Sequence, residues 1–220
     1  MDELVRFFYS ALEWVKKNIF VVSIVSGVVV LLALGVVIFW VVDKNYEVSL
    51  RTKFDKAYLQ YLSGSRDDSK REDSFRNFLE TLQEISSVNK SYDVVAIANI
   101  ILGDIYYNEG NSYPIALSYY SRATNAPSVF LRVTAIFDVA QVYEAMDNPE
   151  AALSTYEYIF KKYPDSYLAP AAMLNMSKLY SYKGDSVSAK KILTELSNKY
   201  PSSSATYFMD LFGLNLNGNE

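Results

Sequence analysis

The chain contains no cysteine and no histidine among its 220 residues. Without these side chains there are no thiol nucleophiles, no imidazole bases or Ser-His-Asp triads, and no thiolate or imidazole metal ligands. A lipoprotein attached through an N-terminal cysteine is also excluded. The sequence lacks a P-loop and a glycine-rich dinucleotide fingerprint as well. We therefore predict a protein that is not an enzyme and has no cofactor, metal or small-molecule substrate.

An excess of positive charge is also lacking, since 21 Lys and Arg residues stand against 25 Asp and Glu residues. Surfaces that bind nucleic acid are normally basic, so no nucleic-acid partner is predicted. Half of the residues are apolar, which at this length is enough for one domain and an appendage.

Residues 1–18 form a leader in which apolar residues recur at helical spacing between charged ones, namely Leu4, Phe8, Leu12 and Val15. The pattern predicts a short amphipathic helix on the cytoplasmic face of a membrane. A frayed leader with chance periodicity is the alternative.

Residues 19–42 are 24 consecutive residues without a charge, rich in Val, Leu and Ile and closed by Phe39 and Trp40. A helix of this length spans about 36 Å, against about 30 Å for a bilayer core. The apolar region of a cleaved signal peptide is shorter, and it ends in small residues, whereas Asp43 and Lys44 follow here. We predict an uncleaved transmembrane anchor.

Basic residues flank this span on both sides, so the positive-inside rule does not decide the orientation. Lys16 and Lys17 directly precede the apolar run. We expect the N-terminus in the cytoplasm of a bacterium and the following domain in the periplasm.

Three segments repeat one pattern of small, aromatic and proline residues at a spacing of 37 residues. The equivalent residues are Ile136, Val139, Ala140, Tyr143, Ala152, Tyr156 and Pro164 in the middle segment, Met173, Met176, Ser177, Tyr180, Ala189, Leu193 and Pro201 in the next, and Asn99, Leu102, Gly103, Tyr106 and Pro127 in the one before. The small residue of each segment predicts the point where two helices of a pair cross closely. The large residue three places on then fills the space beside the crossing.

This pattern resembles the tetratricopeptide repeat, in which stacked helix pairs form a solenoid. The resemblance implies an α-α superhelix. Together with the predicted anchor, this gives an all-α fold class, in which a single N-terminal transmembrane helix is followed by the superhelix. The repeats are expected at about 93–127, 128–164 and 165–201, within a domain of residues 93–214. The family's usual period is shorter by three residues, and we predict that the extra residues, such as 165–169, lengthen the next first helix.

Residues 43–92 are predicted to form a linker helix over 46–62, which could continue the membrane helix, and a second helix over 74–85. Together they would cap the first repeat. Between them, the charged stretch 63–73 predicts a solvated loop. A last apolar helix over 203–214, with Tyr207, Phe208, Leu211 and Phe212, is expected to cover the other end, and 215–220 to be a polar tail.

In the tetratricopeptide family, ligands commonly lie along a concave face formed by four positions of each first helix. The resemblance carries this groove to Ile97, Ile100, Asp104, Tyr107, Thr134, Phe137, Gln141, Glu144, Ala171, Leu174, Lys178 and Ser181. The basic residues with which some members hold a terminal carboxylate are missing here. An apolar or amphipathic segment of a protein partner fits better, with Phe137 and Tyr107 as its main anchors. The alternative is that the apolar members only pack against neighbouring helices.

The layout of leader, anchor, linker and small repeat domain resembles the ancillary subunits of the bacterial Sec translocon. This resemblance implies an inner-membrane protein whose periplasmic repeats bind translocon subunits and a periplasmic chaperone, helping secreted proteins to reach it. Two other hypotheses stay open. One is a scaffold for envelope assembly or cell division, and the other is an anchored, cytosol-facing chaperone receptor.

Overall fold

A computed structural model of the protein describes residues 2–109 and 112–211, which form ten α-helices and no strand. The helices are α1 (Asp2–Lys17), α2 (Ile19–Gly64), α3 (Arg71–Ser86), α4 (Asp93–Asn108), α5 (Tyr113–Ala123), α6 (Val129–Ala145), α7 (Pro149–Lys162), α8 (Ala169–Tyr182), α9 (Ser186–Lys199) and α10 (Ser204–Leu211). The predicted all-α fold class is confirmed. The chain divides into two compact units, residues 1–50 and residues 51–220.

The first unit holds α1 and the apolar part of α2. Along α1, Phe7, Phe8 and Trp14 are exposed, and the helix ends where the side chain of Asn18 donates a hydrogen bond to the Trp14 carbonyl at 2.8 Å. Among the described residues, α2 is the one helix that is long and apolar enough to cross a membrane. Most apolar side chains of residues 19–42 are exposed, with Phe39 at 70% as an example.

The predicted linker helix is the continuation of α2, which runs without a break to Gly64. The end of α2 packs against α3 through aromatic rings, because Phe78 lies 6.1 Å from Phe54, 5.8 Å from Tyr58 and 5.2 Å from Tyr61 between ring centroids. The charged loop is shorter than predicted, since α3 begins at Arg71. Glu72 and Asp73 fall in its first turn, where acidic side chains favour the helix dipole.

Three helix pairs follow, α4–α5, α6–α7 and α8–α9, and the small residues of the repeated pattern are buried in them. Ala140 and Ala152 are fully buried, and Ser177 is 2% exposed. At Gly103 a Cβ atom would lie 2.5 Å from the ring of Tyr120 on α5. The close crossing that the pattern predicts is therefore present, and in the first pair only glycine leaves room for it.

The prediction for the extra residues between repeats is wrong at 165–169. Residues 164–168 form a turn, and α8 begins only at Ala169. The amide of Ser166 donates to the Tyr163 carbonyl at 2.9 Å and that of Ala169 to the Ser166 carbonyl at 3.0 Å. These bonds use the extra residues in the connection, so α8 is not lengthened.

The last helix also differs from its prediction. Ala205 and Met209 are the residues of α10 that pack against α8 and α9, beside Leu196 and Met173. Tyr207 and Phe208 are exposed instead. Several predictions lie outside the described residues, namely the role of Phe212, the tail 215–220, and the side chains of Leu4 and Leu211.

Candidate protein-binding groove

The twelve residues predicted to line a groove lie on the first helices of the three pairs, four each on α4, α6 and α8. On every helix they follow the spacing i, i+3, i+7 and i+10, which places them on one helix face. We call this set the groove residues.

Several of the apolar groove residues take part in packing between helices. Leu174 is 8% exposed and belongs to a buried cluster. Phe137 is half-buried, and its ring meets that of the fully buried Tyr156 edge to face at 5.3 Å. Tyr107 lies 5.5 Å from Tyr113 between ring centroids. Replacing either predicted anchor by a charged residue would therefore damage packing as well as the groove.

The acidic groove residues are held by tyrosines of the second helices. Tyr120 on α5 donates a hydrogen bond from its hydroxyl to Asp104 at 2.6 Å. Tyr156 on α7 donates to Glu144 and accepts at 3.0 Å from the amide of Asn175 on α8. Burial, followed by the hydrogen bond to the carboxylate, raises the pKa of both tyrosines, so they stay neutral donors. The carboxylates are thereby fixed in place.

Asp138 is an additional acidic residue of α6 that the sequence did not single out. Its carboxyl is half-buried and has no hydrogen bond or ion pair within residues 2–109 and 112–211. Burial, followed by the charge of Asp104, raises its pKa to about 7. The region between α4 and α6 therefore holds two carboxyl groups that resist ionising together.

An exposed aromatic pair, Phe130 and Tyr167, adjoins the groove residue Thr134. Their rings stack at 5.2 Å although they are 59% and 56% exposed. The hydroxyls of Thr134 and Tyr167 lie 3.0 Å apart. The aromatic pair was not predicted. Phe130 stands one helical turn before Thr134, so the groove spacing could have been extended to it, but Tyr167 lies in the turn before α8 and carries no periodic signal.

The remaining polar groove residues, Gln141, Lys178 and Ser181, are exposed. The face that carries the groove residues thus has half-buried aromatic rings, hydrogen-bonded carboxylates and exposed polar side chains. The exposed aromatic pair lies beside them. Such a surface can bind a chain segment through apolar anchors and hydrogen bonds.

A protein-family model described as tetratricopeptide repeat matches residues 134–166 and 171–203. The first range covers most of α6, all of α7 and the first part of the turn before α8. The second range covers most of α8 and all of α9. A comparison with curated proteins finds no match. The matched repeats indicate a tetratricopeptide-type helical region, a fold typical of scaffolds that bind proteins and do not catalyse reactions.

Proposed function

We propose that the protein is a single-pass membrane scaffold whose repeats hold partner proteins. The anchor in this proposal is the apolar part of α2. Leu31, Val36 and Phe39 are each about two-thirds exposed or more (69%, 68% and 70%), and a continuous apolar surface of this kind is stable only when a bilayer or another protein covers it. The amphipathic α1 would lie at the membrane surface beside it.

The aromatic pair is the single observation that carries the binding part of the proposal. Large aromatic side chains are enriched at the centres of protein interfaces because they bury much apolar area at a low entropic cost. Phe130 and Tyr167 are already stacked on each other without a partner. Their side chains therefore lose little conformational entropy when a partner binds. The proposed ligand is an apolar or amphipathic segment of a partner protein. It would contact the aromatic pair and continue along the groove residues.

The finer proposal is an ancillary role at the bacterial Sec translocon, with the N-terminus in the cytoplasm and the repeats in the periplasm. It rests on the resemblance in layout between this chain and that family. Partners would then be translocon subunits and a periplasmic chaperone.

The binding proposal is tested by replacing Phe130 and Tyr167 together with Ser. Both side chains are exposed, so the variant should keep its helical content. We expect recovery of crosslinked partners from native membranes to fall about tenfold, as for the loss of an aromatic hot spot. The matched control is the double change Tyr182→Ser and Val187→Ser, which removes two exposed apolar side chains from α8 and α9 (75% and 82% exposed).

Equal recovery by the aromatic-pair variant and the control would contradict the binding surface. Mass spectrometry of the recovered proteins tests the finer role. Recovery of translocon subunits with a periplasmic folding factor would support this role. Recovery of envelope-assembly or cell-division proteins would still support a scaffold but would contradict the role at the translocon. A reporter active only in the periplasm, fused after Glu220, should be active, and inactivity there would favour the cytosol-facing receptor.

A further inference from the structure

A polar pocket of about 400 Å³ lies where α3, α4 and α5 meet, apart from the groove. Its lining residues are Ser86, Ser87, Val88, Asn89, Lys90, Ser91, Tyr92, Val95, Ala96, Asn99, Arg122, Asn125 and Ala126. None of the twelve groove residues is among them. The volume falls within the range of roughly 300–1,000 Å³ that is usual for small-molecule sites.

A chain of hydrogen bonds fixes the wall of this pocket. Arg122 donates to the Ser86 hydroxyl at 3.2 Å, Ser86 donates to the side-chain oxygen of Asn99 at 2.8 Å, and Asn99 donates to the Val95 carbonyl at 2.8 Å. Ser86 and Asn99 are 5% and 1% exposed. The network therefore holds the Arg122 guanidinium from the buried side and uses only one of its five N–H groups.

The polar character of this wall is a departure from the other repeats. Asn99 occupies the place that Ile136 and Met173 hold 37 and 74 residues later, and both of those are buried apolar residues. A buried amide is more costly than an apolar side chain at such a position unless all of its partners are present. Helix packing alone thus gives no reason for Asn99, whereas positioning Ser86 and Arg122 does.

The charge of the pocket is positive. Arg122 and Lys90 line it, and the described lining includes no Asp or Glu. The Lys90 ammonium lies 5.6 Å from the centre of the Tyr92 ring. Arg122 makes no ion pair with any acidic residue in residues 2–109 and 112–211. The carboxylate of Asp93 accepts a hydrogen bond from the amide of Ser128 at 2.9 Å.

Competing negative groups at the pocket are already engaged. Helices α3 and α5 end there, and helix C-termini disfavour anions. The Ser87 hydroxyl, however, donates to the Glu84 carbonyl at 2.7 Å, and Ser91 donates to the carbonyl of Asn125. Helix α4 begins beside the pocket, and no side chain caps its first amides. The partial positive charge of this helix N-terminus favours an anion, in contrast to the two C-termini.

We propose that this pocket binds a phosphate group. Its donors are the Arg122 guanidinium, the Lys90 ammonium and the amides of Asn89 and Asn125, which come from the segment before α4 and from the end of α5. Donors from two segments of the chain suit a tetrahedral group with four oxygens better than a planar carboxylate with two, and basic lining residues match its charge. The phosphate belongs to a free phosphate compound or to a lipid headgroup. The site does not depend on the function proposed for the groove.

The test uses the full chain in micelles of a neutral detergent, at constant ionic strength with chloride as the balancing ion. Inorganic phosphate is titrated by calorimetry in one arm, and in the other arm phosphatidic acid is added as mixed micelles. Acetate serves as the planar comparison. We expect saturable binding of phosphate or of phosphatidic acid, and weaker binding of acetate.

Arg122→Gln should weaken this binding about tenfold or more, since a charge-assisted hydrogen bond is lost. The control Arg76→Gln removes the same charge from α3, where Arg76 is paired with Glu72 at 3.1 Å, and should bind as the original chain does. Asn89→Asp is a second variant at an exposed position, and it should weaken binding by adding a negative charge without disturbing the fold.

Each outcome decides the proposal. Binding of inorganic phosphate assigns the site to free phosphate compounds, and binding of phosphatidic acid alone assigns it to a headgroup. If neither probe binds saturably, or if Arg122→Gln and Asn89→Asp both bind as tightly as Arg76→Gln, the proposal is overturned.

Discussion

Tyrosine hydroxyls fix two carboxylates on the first helices, Asp104 through Tyr120 and Glu144 through Tyr156. Both tyrosines belong to second helices and are almost fully buried. Each bond therefore joins the buried face of one helix to the open face of its neighbour. A buried hydroxyl without a partner would be costly, so these carboxylates stabilise the core whether or not a partner binds beside them.

Asp138 lies near one of these fixed carboxylates, Asp104, and its ionised form is destabilised there. Its pKa is raised to about 7, first by burial and then by the charge of Asp104, whereas an unfolded Asp has a pKa of about 3.9. The folded state therefore holds the proton more tightly. Its contribution to stability is fully present below about pH 4 and is lost as the pH rises towards about 7.

We predict that Asp138→Asn raises the free energy of unfolding at pH 8 by about 1 to 2 kcal/mol, a value reduced for solvent screening of a half-buried group. At pH 4 the two chains should differ little, because the carboxyl is then neutral. Urea unfolding followed by circular dichroism at both pH values measures the difference. The same gain at pH 4 as at pH 8 would show that the charge of Asp138 is not its cause.

At the scale of elements, the turns inside the second and third pairs are built alike. The amide of Asn148 donates to the Tyr143 carbonyl and that of Asp185 to the Tyr180 carbonyl, both at 2.9 Å. The side chains of Asn148 and Asp185 then cap α7 and α9. One residue before each cap the backbone has a positive φ, 53° at Asp147 and 79° at Gly184. This is the usual left-handed ending of a helix.

We predict that Gly184→Ala lowers the free energy of unfolding by about 1 kcal/mol, the cost of a left-handed conformation less the gain from a stiffer unfolded chain. A Cβ atom at Gly184 meets nothing within 4 Å, so no clash contributes. Gly184→Asn should lose less than half as much, because Asn tolerates this conformation. Equal stability of the Ala variant and the original chain, by urea unfolding, would contradict the assignment.

At the scale of the whole molecule, the two units differ in how much apolar surface they expose. Most apolar residues of 19–42 are exposed, whereas the second unit buries many of its apolar residues between helices and carries charged residues on its surface. A polypeptide with both properties is stable at an interface between lipid and water.

We predict that the full chain stays with the membrane pellet after alkaline carbonate extraction, while a chain beginning at Lys44 is soluble. The reason is the loss of 24 uncharged residues, each apolar side chain among them favouring lipid over water. The shorter chain should keep the helical signal of α3 to α10 in circular dichroism. Extraction of the full chain into the soluble fraction would contradict the anchor.

The sequence by itself determined the features that depend on local pattern. A run of uncharged residues predicts an apolar helix whatever surrounds it, and small residues at Gly103, Ala140 and Ser177 predict close crossings because no larger side chain leaves room. The groove residues are a prediction that the resemblance to the tetratricopeptide family implies, and their spacing places them on one face of each first helix. Tyr120 was missed because it precedes Tyr156 by 36 residues and therefore falls out of the 37-residue register.

Only the tertiary structure decided which side chains meet across helices. The interactions of Phe130 with Tyr167, Asp104 with Asp138 and Ser86 with Arg122 join residues 34 to 37 positions apart. No local pattern encodes such a pairing, because it depends on how successive helix pairs stack. The aromatic pair, the raised pKa of Asp138 and the polar pocket all arise from that stacking, whereas the helices that carry them are set by sequence.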